Sequence, residues 1–143
     1  MIPVIRDERE GKMRDIKFRL RIDNRMVGYE KWYLGERVNF TANPCWLYSK
    51  DQLNWFPKYI YHTHKDEFTG LKDKNGKEVY EGDIVLQKGL NGETNDIAEV
   101  LWSQRNIGFE AQFKASKLNL PLAEFIEIIG NRFENPELLG DRK

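Results

Sequence analysis

Cysteine is nearly missing from this 143-residue chain, with Cys45 standing alone. A single thiol closes no internal disulfide, which argues against a disulfide-stapled secreted domain. Cys45 reads as a small buried hydrophobe rather than a nucleophile. An excess of one charge is also missing, since 23 Lys and Arg meet 23 Asp and Glu. No net field therefore draws the molecule to nucleic acid or anionic lipid, and any polyanion contact must come from a local patch. No stretch approaches the roughly 18 apolar residues of a membrane span. Residues 1–12 mix Arg6, Asp7, Glu8, Arg9 and Glu10 without an apolar run, so no signal peptide is expected there. A cytoplasmic protein with no membrane partner follows by elimination. Nucleophile elbows, phosphate-binding loops and dinucleotide fingerprints are absent as well, so neither an enzyme nor a cofactor is expected.

What is present points to β structure. The chain has the length of one domain or two very small ones, and 40% hydrophobic residues supply a core. Residues 1–12 read as an upstream extension, the least ordered part, ahead of an alternative start at Met13. From Met13 to Ile22, Ile16, Phe18, Leu20 and Ile22 alternate with Lys17, Arg19 and Arg21. That period of two gives a strand with one apolar and one basic face. Asp23-Asn24 is a turn, and Met26 to Tyr33 returns as its partner strand.

Ten of the 18 aromatic residues fall between Tyr29 and Tyr61, where Pro44 and Pro57 break any helical stripe. Short strands and tight loops suit that composition. The second half is more regular. Asn75-Gly76 predicts a type I′ hairpin turn, and Glu81-Gly82-Asp83 a second tight turn leading into Ile84-Val85-Leu86. A polar loop over 89–96 precedes a strand over Ile97–Trp102, a turn at Asn106-Ile107-Gly108 and a strand over Phe109–Phe113. Phe125–Ile129 is a further strand, and Asn135 is placed to cap a single helical turn opened by Pro136. Strands at this spacing predict a small barrel or sandwich.

The run from Phe68 to Val85, FTGLKDKNGKEVYEGDIV, closely resembles the signature of the YopX family of phage and prophage proteins. Met13–Arg19 is similar to that family's usual opening and Ile128–Leu139 to its usual ending. The resemblance implies a mostly β fold with an SH3-like barrel in the signature half, and a phage or prophage origin. It brings no catalytic residues. The lead-in His62-Thr63-His64-Lys65-Asp66-Glu67 departs from the family's polar, acidic pattern, and Val38–Tyr61 carries no part of the resemblance. The expected organisation is an extension over 1–12, a β subdomain over 13–62 containing a hairpin and the aromatic segment, and an SH3-like barrel over 63–143. Gly70, Asp73, Gly76, Glu81, Gly82 and Asp83 read as turn architecture, because glycines need no Cβ clearance and aspartates accept turn N–H groups. Leu71, Val79, Ile84 and Val85 are expected to fill one small core.

Four constellations are candidates for chemistry. His62-x-His64, with Asp66 or Glu67, has metal-ligand character but no third ligand at fixed spacing, so no metal is expected. Glu78, Glu81 and Asp83 lie close together but read as solvated turn charges rather than an acid–base pair. Lys17, Arg19 and Arg21, with Arg14 and Arg25 nearby, form a basic stripe that would track a phosphate backbone unless acids on a neighbouring strand pair with it. Trp32, Trp46 and Trp55 would serve as interface aromatics or fill a core. The leading expectation is a non-enzymatic phage or prophage accessory protein acting through contacts with itself, as a homo-oligomer, or with another phage or host protein. The alternative is a nucleic-acid-binding module that uses the basic strand.

Overall fold

The computed structural model describes residues 6–7, 12–13, 16–33, 45–89, 92, 94–123 and 125–140. Among them every regular element is a β-strand, apart from one 3₁₀ turn over Pro136–Leu139. The expected extension falls largely outside the described residues; within it, β1 (Arg6–Asp7) pairs antiparallel with β2 (Lys12–Met13).

The chain divides into two compact units, Met1–Gly70 and Leu71–Lys143. The expected break at 62/63 comes just ahead of β6 (His64–Lys72), which is hydrogen bonded to β3 (Lys17–Ile22) and so stays with the first unit as far as Gly70. In that unit β5 (Cys45–Ser49), β4 (Arg25–Tyr33), β3 and β6 lie side by side in that order, all antiparallel. The β3–β4 turn is the expected Asp23-Asn24, with Asp23 at φ 52. Aspartate tolerates this left-handed conformation better than most residues. In β3 the apolar Leu20 is completely buried, and Lys17 and Arg19 on the other face are buried as well, so both faces of the strand are covered.

In the second unit β7 (Glu78–Tyr80) precedes an antiparallel sheet of order β11-β10-β9-β8-β12. Its members are β8 (Asp83–Lys88), β9 (Asn95–Ser103), β10 (Gly108–Phe113), β11 (Asn119–Pro121) and β12 (Glu127–Asn131). One face holds the core: Val85, Ala98, Val100, Ala111 and Phe113, joined by Val79 and Ile126. Burying each of the larger side chains contributes about 1.5–3 kcal/mol, far more than an exposed turn charge. Val79 and Val85 thus share the expected core. Ile84 is equally buried but opposes Glu99 on the other face, and Leu71 is only half-buried.

The protein is mostly β, as expected, but both sheets are open. Among the described residues no pairing joins β11 to β12, so the closed ladder of an SH3-like barrel is not formed. β11 has three residues and ends at Pro121, which has no N–H to donate, and β12 is bulged between Ile128 and Gly130. Three local expectations are also corrected. Phe125 is exposed and the last strand begins at Glu127. Asn75 is not at positive φ, so the turn is Asp73–Gly76 with only Gly76 left-handed, rather than type I′. Asn135 stands at the N-cap position ahead of Pro136 as expected, but its side chain makes no capping bond, since its Oδ1 accepts from the Asn131 N–H at 3.2 Å.

Candidate functional site

The basic stripe of β3 faces acids and rings of its own unit. Asp66 on β6 sits opposite Arg19, and its carboxylate accepts from Arg19 at 3.3 Å and from Arg21 at 3.1 Å. Both guanidiniums and the carboxylate are largely buried. Lys17, also buried, donates to Gln52 at 3.3 Å and lies 5.4 Å from the Phe68 ring centroid. Of the stripe's expected neighbours, Arg25 is exposed beside the β3–β4 turn, while Arg14 lies outside the described residues.

The three tryptophans do not form one platform. Trp32 and Trp46 are cross-strand partners with ring centroids 5.2 Å apart, and Phe18 lies 6.2 Å from Trp46. Lys65 places its ammonium 4.3 Å from the Phe18 centroid and 3.0 Å from Glu30 Oε1. Trp32 Nε1 is buried without a hydrogen-bond partner among the described residues. Trp55 packs with the opposite strand phase, beside Lys31, whose ammonium is 4.2 Å from its ring. Successive strand residues point to opposite faces, and Lys31 and Trp32 are adjacent in β4.

The first unit does have a pocket, at the outer edge of β5. About 500 Å³ in volume, it lies between the end of β5 and residues 50–60, and its lining includes Tyr48, Phe56, Tyr59 and Ile60 together with Lys50 and Lys58. An isolated bridge between Tyr48 and Phe56 ties this segment to the strand. Ser49 and Asp51 shape the turn between them. Ser49 Oγ accepts from the Gln52 N–H at 2.8 Å, while Asp51 Oδ1 accepts from Leu53 and Asn54 N–H at 2.8 and 3.0 Å. Those two N–H groups, Asn54 first, hold the Asp51 carboxyl down at about 2. Tyr48 is pushed up from its ordinary value by burial first and then by hydrogen bonding to the Glu30 carboxylate. Its ring meets Tyr59 edge-on at 5.3 Å. Beyond the strand, Phe56, Tyr59 and Tyr61 are 59%, 60% and 65% exposed. Composition flags this segment as aromatic, but which of its rings face solvent depends on Pro57 and on the Tyr48–Phe56 bridge.

The remaining candidates are occupied locally. His62 Nδ1 lies 2.8 Å from the Ile60 carbonyl, His64 Nδ1 lies 2.9 Å from Thr63 Oγ1, and Asp66 is turned to the two arginines. Among the described residues no three metal-ligating side chains gather. The Tyr80 hydroxyl donates to Glu78 at 2.9 Å, and Asp83 Oδ2 accepts from the Tyr80 N–H at 2.8 Å.

The signature turns are built from the same local bonds. Asp73 accepts from the Asn75, Lys77 and Ile128 N–H groups at 2.9, 2.9 and 3.0 Å. Burial works to raise its pKa, but these three donors outweigh it and the carboxyl is held low. Gly70, Gly76 and Gly82 all have positive φ, and a Cβ on Gly82 would sit 2.7 Å from the Phe133 ring. Glu81 lies in that turn. The YopX protein family matches residues 17–140, nearly the whole chain. The chain belongs to the YopX family. No curated protein matches it. Among solved structures it is similar to protein EF1440 from Enterococcus faecalis, at 22% identity and TM-score 0.42 over 95% of each chain.

In this YopX protein Asp73 and Asp83 of the signature run accept turn N–H groups, and Gly70, Gly76 and Gly82 take the left-handed conformation. A second exposed feature lies away from the signature, at the β9–β10 hairpin. Trp102 and Phe109 are cross-strand partners with centroids 5.1 Å apart, and Trp102 is 42% exposed. In the turn between them Ile107 is 79% exposed at φ 52. Among the described residues no helix is long and apolar enough to cross a membrane.

Proposed function

We propose that this YopX protein is a non-enzymatic, cytoplasmic accessory protein of phage or prophage origin that works through protein contacts, with copies of itself first among them. The observation that carries the reading is the apolar tip of the β9–β10 hairpin. A β-branched residue in the left-handed region costs about 1–2 kcal/mol, and Ile107 returns none of that by burial within its own chain. An exposed Ile beside a half-exposed Trp102–Phe109 pair is what a contact surface retains. Zero net charge favours like copies as partners, since they meet without long-range repulsion.

Sedimentation equilibrium over a wide concentration range tests it. The wild type is expected to associate reversibly, and Ile107→Asn, which suits the left-handed turn, to shift the molecule toward monomer with its fold intact. A wild type that stays monomeric up to its solubility limit would overturn self-association.

A further inference from the structure

We infer that the pocket at the edge of β5 binds a nucleoside phosphate, free or within a single strand, with the base on the exposed rings and the phosphate on Lys50 and Lys58. This stands on a different surface and a different observation from the hairpin tip. The volume of about 500 Å³ lies in the range of small-molecule sites. Three of its nine lining residues are aromatic, Tyr48, Phe56 and Tyr59, and Phe56 and Tyr59 leave more than half of their surface open. Flat rings that face solvent beside cations are the combination that holds a base by stacking and a phosphate by charge.

The balance of charge in the lining favours an anion. Lys50 and Lys58 are exposed, and neither has an ion-pair partner among the described residues. The acid among the lining residues is Asp51, and both of its oxygens are engaged in the turn. Oδ1 accepts from Ser49 Oγ and the Leu53 and Asn54 N–H groups, and Oδ2 from Asn54 Nδ2 at 3.3 Å. Asp51 keeps its own charge, so two lysines and one carboxylate leave an excess of one positive charge among the lining residues. The stripe of β3 is a poorer phosphate site despite its higher charge density, because Asp66 already lies against two of its three cations.

The test uses the full chain, adenosine and uridine 5′-monophosphates, a labelled oligothymidylate and a polyglutamate peptide, each titrated at several salt concentrations. The wild type is expected to bind a nucleotide probe with a log–log salt slope of about −0.7 per phosphate contacted. Tyr59→Ala is expected to weaken binding about tenfold, the scale of one lost stacking contact. The pair Lys50→Gln and Lys58→Gln should weaken it and flatten the salt slope. Lys88→Gln removes an exposed cation outside the pocket and is expected to leave affinity unchanged; all four positions are exposed, and thermal melts check that each variant folds. Equal affinity for monophosphate and oligomer assigns the site to free nucleotides, and binding of the oligomer alone assigns it to single strands. Absence of nucleotide binding at low salt would overturn the inference. So would equal losses in the Lys88 variant and the pocket-lysine variants, or polyglutamate binding that matches the nucleotides and ignores Tyr59→Ala.

Discussion

Arg21 Nε approaches Asp66 Oδ1 to 3.1 Å, and Arg19 reaches the other oxygen of the same carboxylate. Asp66→Asn leaves two largely buried guanidiniums facing a neutral amide. Removing one partner from a buried ion pair costs about 3–5 kcal/mol, so urea unfolding of this variant should show a loss on that scale. Arg25→Ala, at an exposed position, should change stability by less than about 0.5 kcal/mol. Equal stability of Asp66→Asn and wild type would show that the pairing holds nothing together.

Two signature glycines separate backbone strain from steric clash. Both Gly76 and Gly82 have positive φ, but a Cβ at Gly76 meets nothing within 4 Å, whereas at Gly82 it runs into Phe133. Gly76→Ala should therefore cost about 1–2 kcal/mol, the left-handed penalty alone. Gly82→Ala should cost clearly more in the same thermal unfolding assay. The reverse order would place the strain elsewhere.

Acid should loosen both units through named carboxylates. The folded pKa values of Asp51 and Asp73 lie below the ordinary 3.8, so each binds fewer protons folded than unfolded. Their stabilisation is complete above that value and is lost as pH falls, for Asp51 between 3.8 and about 2. Carboxyl NMR titration of Asp51 should give a midpoint near about 2. Asp73→Asn should flatten the acid limb of the stability–pH curve. An Asp51 midpoint at the ordinary value would mean that its turn does not hold in solution.

Replacing Ile107 should improve the folded monomer. Asn adopts the left-handed conformation at lower cost, so Ile107→Asn should gain up to about 1 kcal/mol in stability measured at dilution. A loss would mean that the isoleucine is packed within its own chain.

The strands were legible because they alternate. Lys17–Ile22 and Arg25–Tyr33 lie where the apolar spacing and Asp23-Asn24 put them, and the glycines at 76 and 82 mark real turns. The site was much less so. Lys17, Arg19 and Arg21 read as a basic stripe either open to phosphate or paired with acids on a neighbouring strand, because Asp66, the partner of Arg19 and Arg21, is distant in sequence and reaches them only through β3–β6 pairing. The aromatic segment could be counted but not sorted, since Trp32, Trp46 and Trp55 divide between two packing clusters while Phe56, Tyr59 and Tyr61 turn outward. Closure of a barrel depends on what the last strands pair with, and local pattern does not encode that.

β6 runs without interruption through the boundary between the two units, from His64 to Lys72. The protein therefore has no natural seam for dissection. A fragment begun at residue 63 would carry a nine-residue strand stripped of its β3 neighbour, and such a bare edge recruits other chains. A fragment ended at residue 62 would expose the opposite edge, on β3. Either half made alone invites swapping and aggregation, so binding studies that assign a ligand to one half are better done by point substitution in the whole chain.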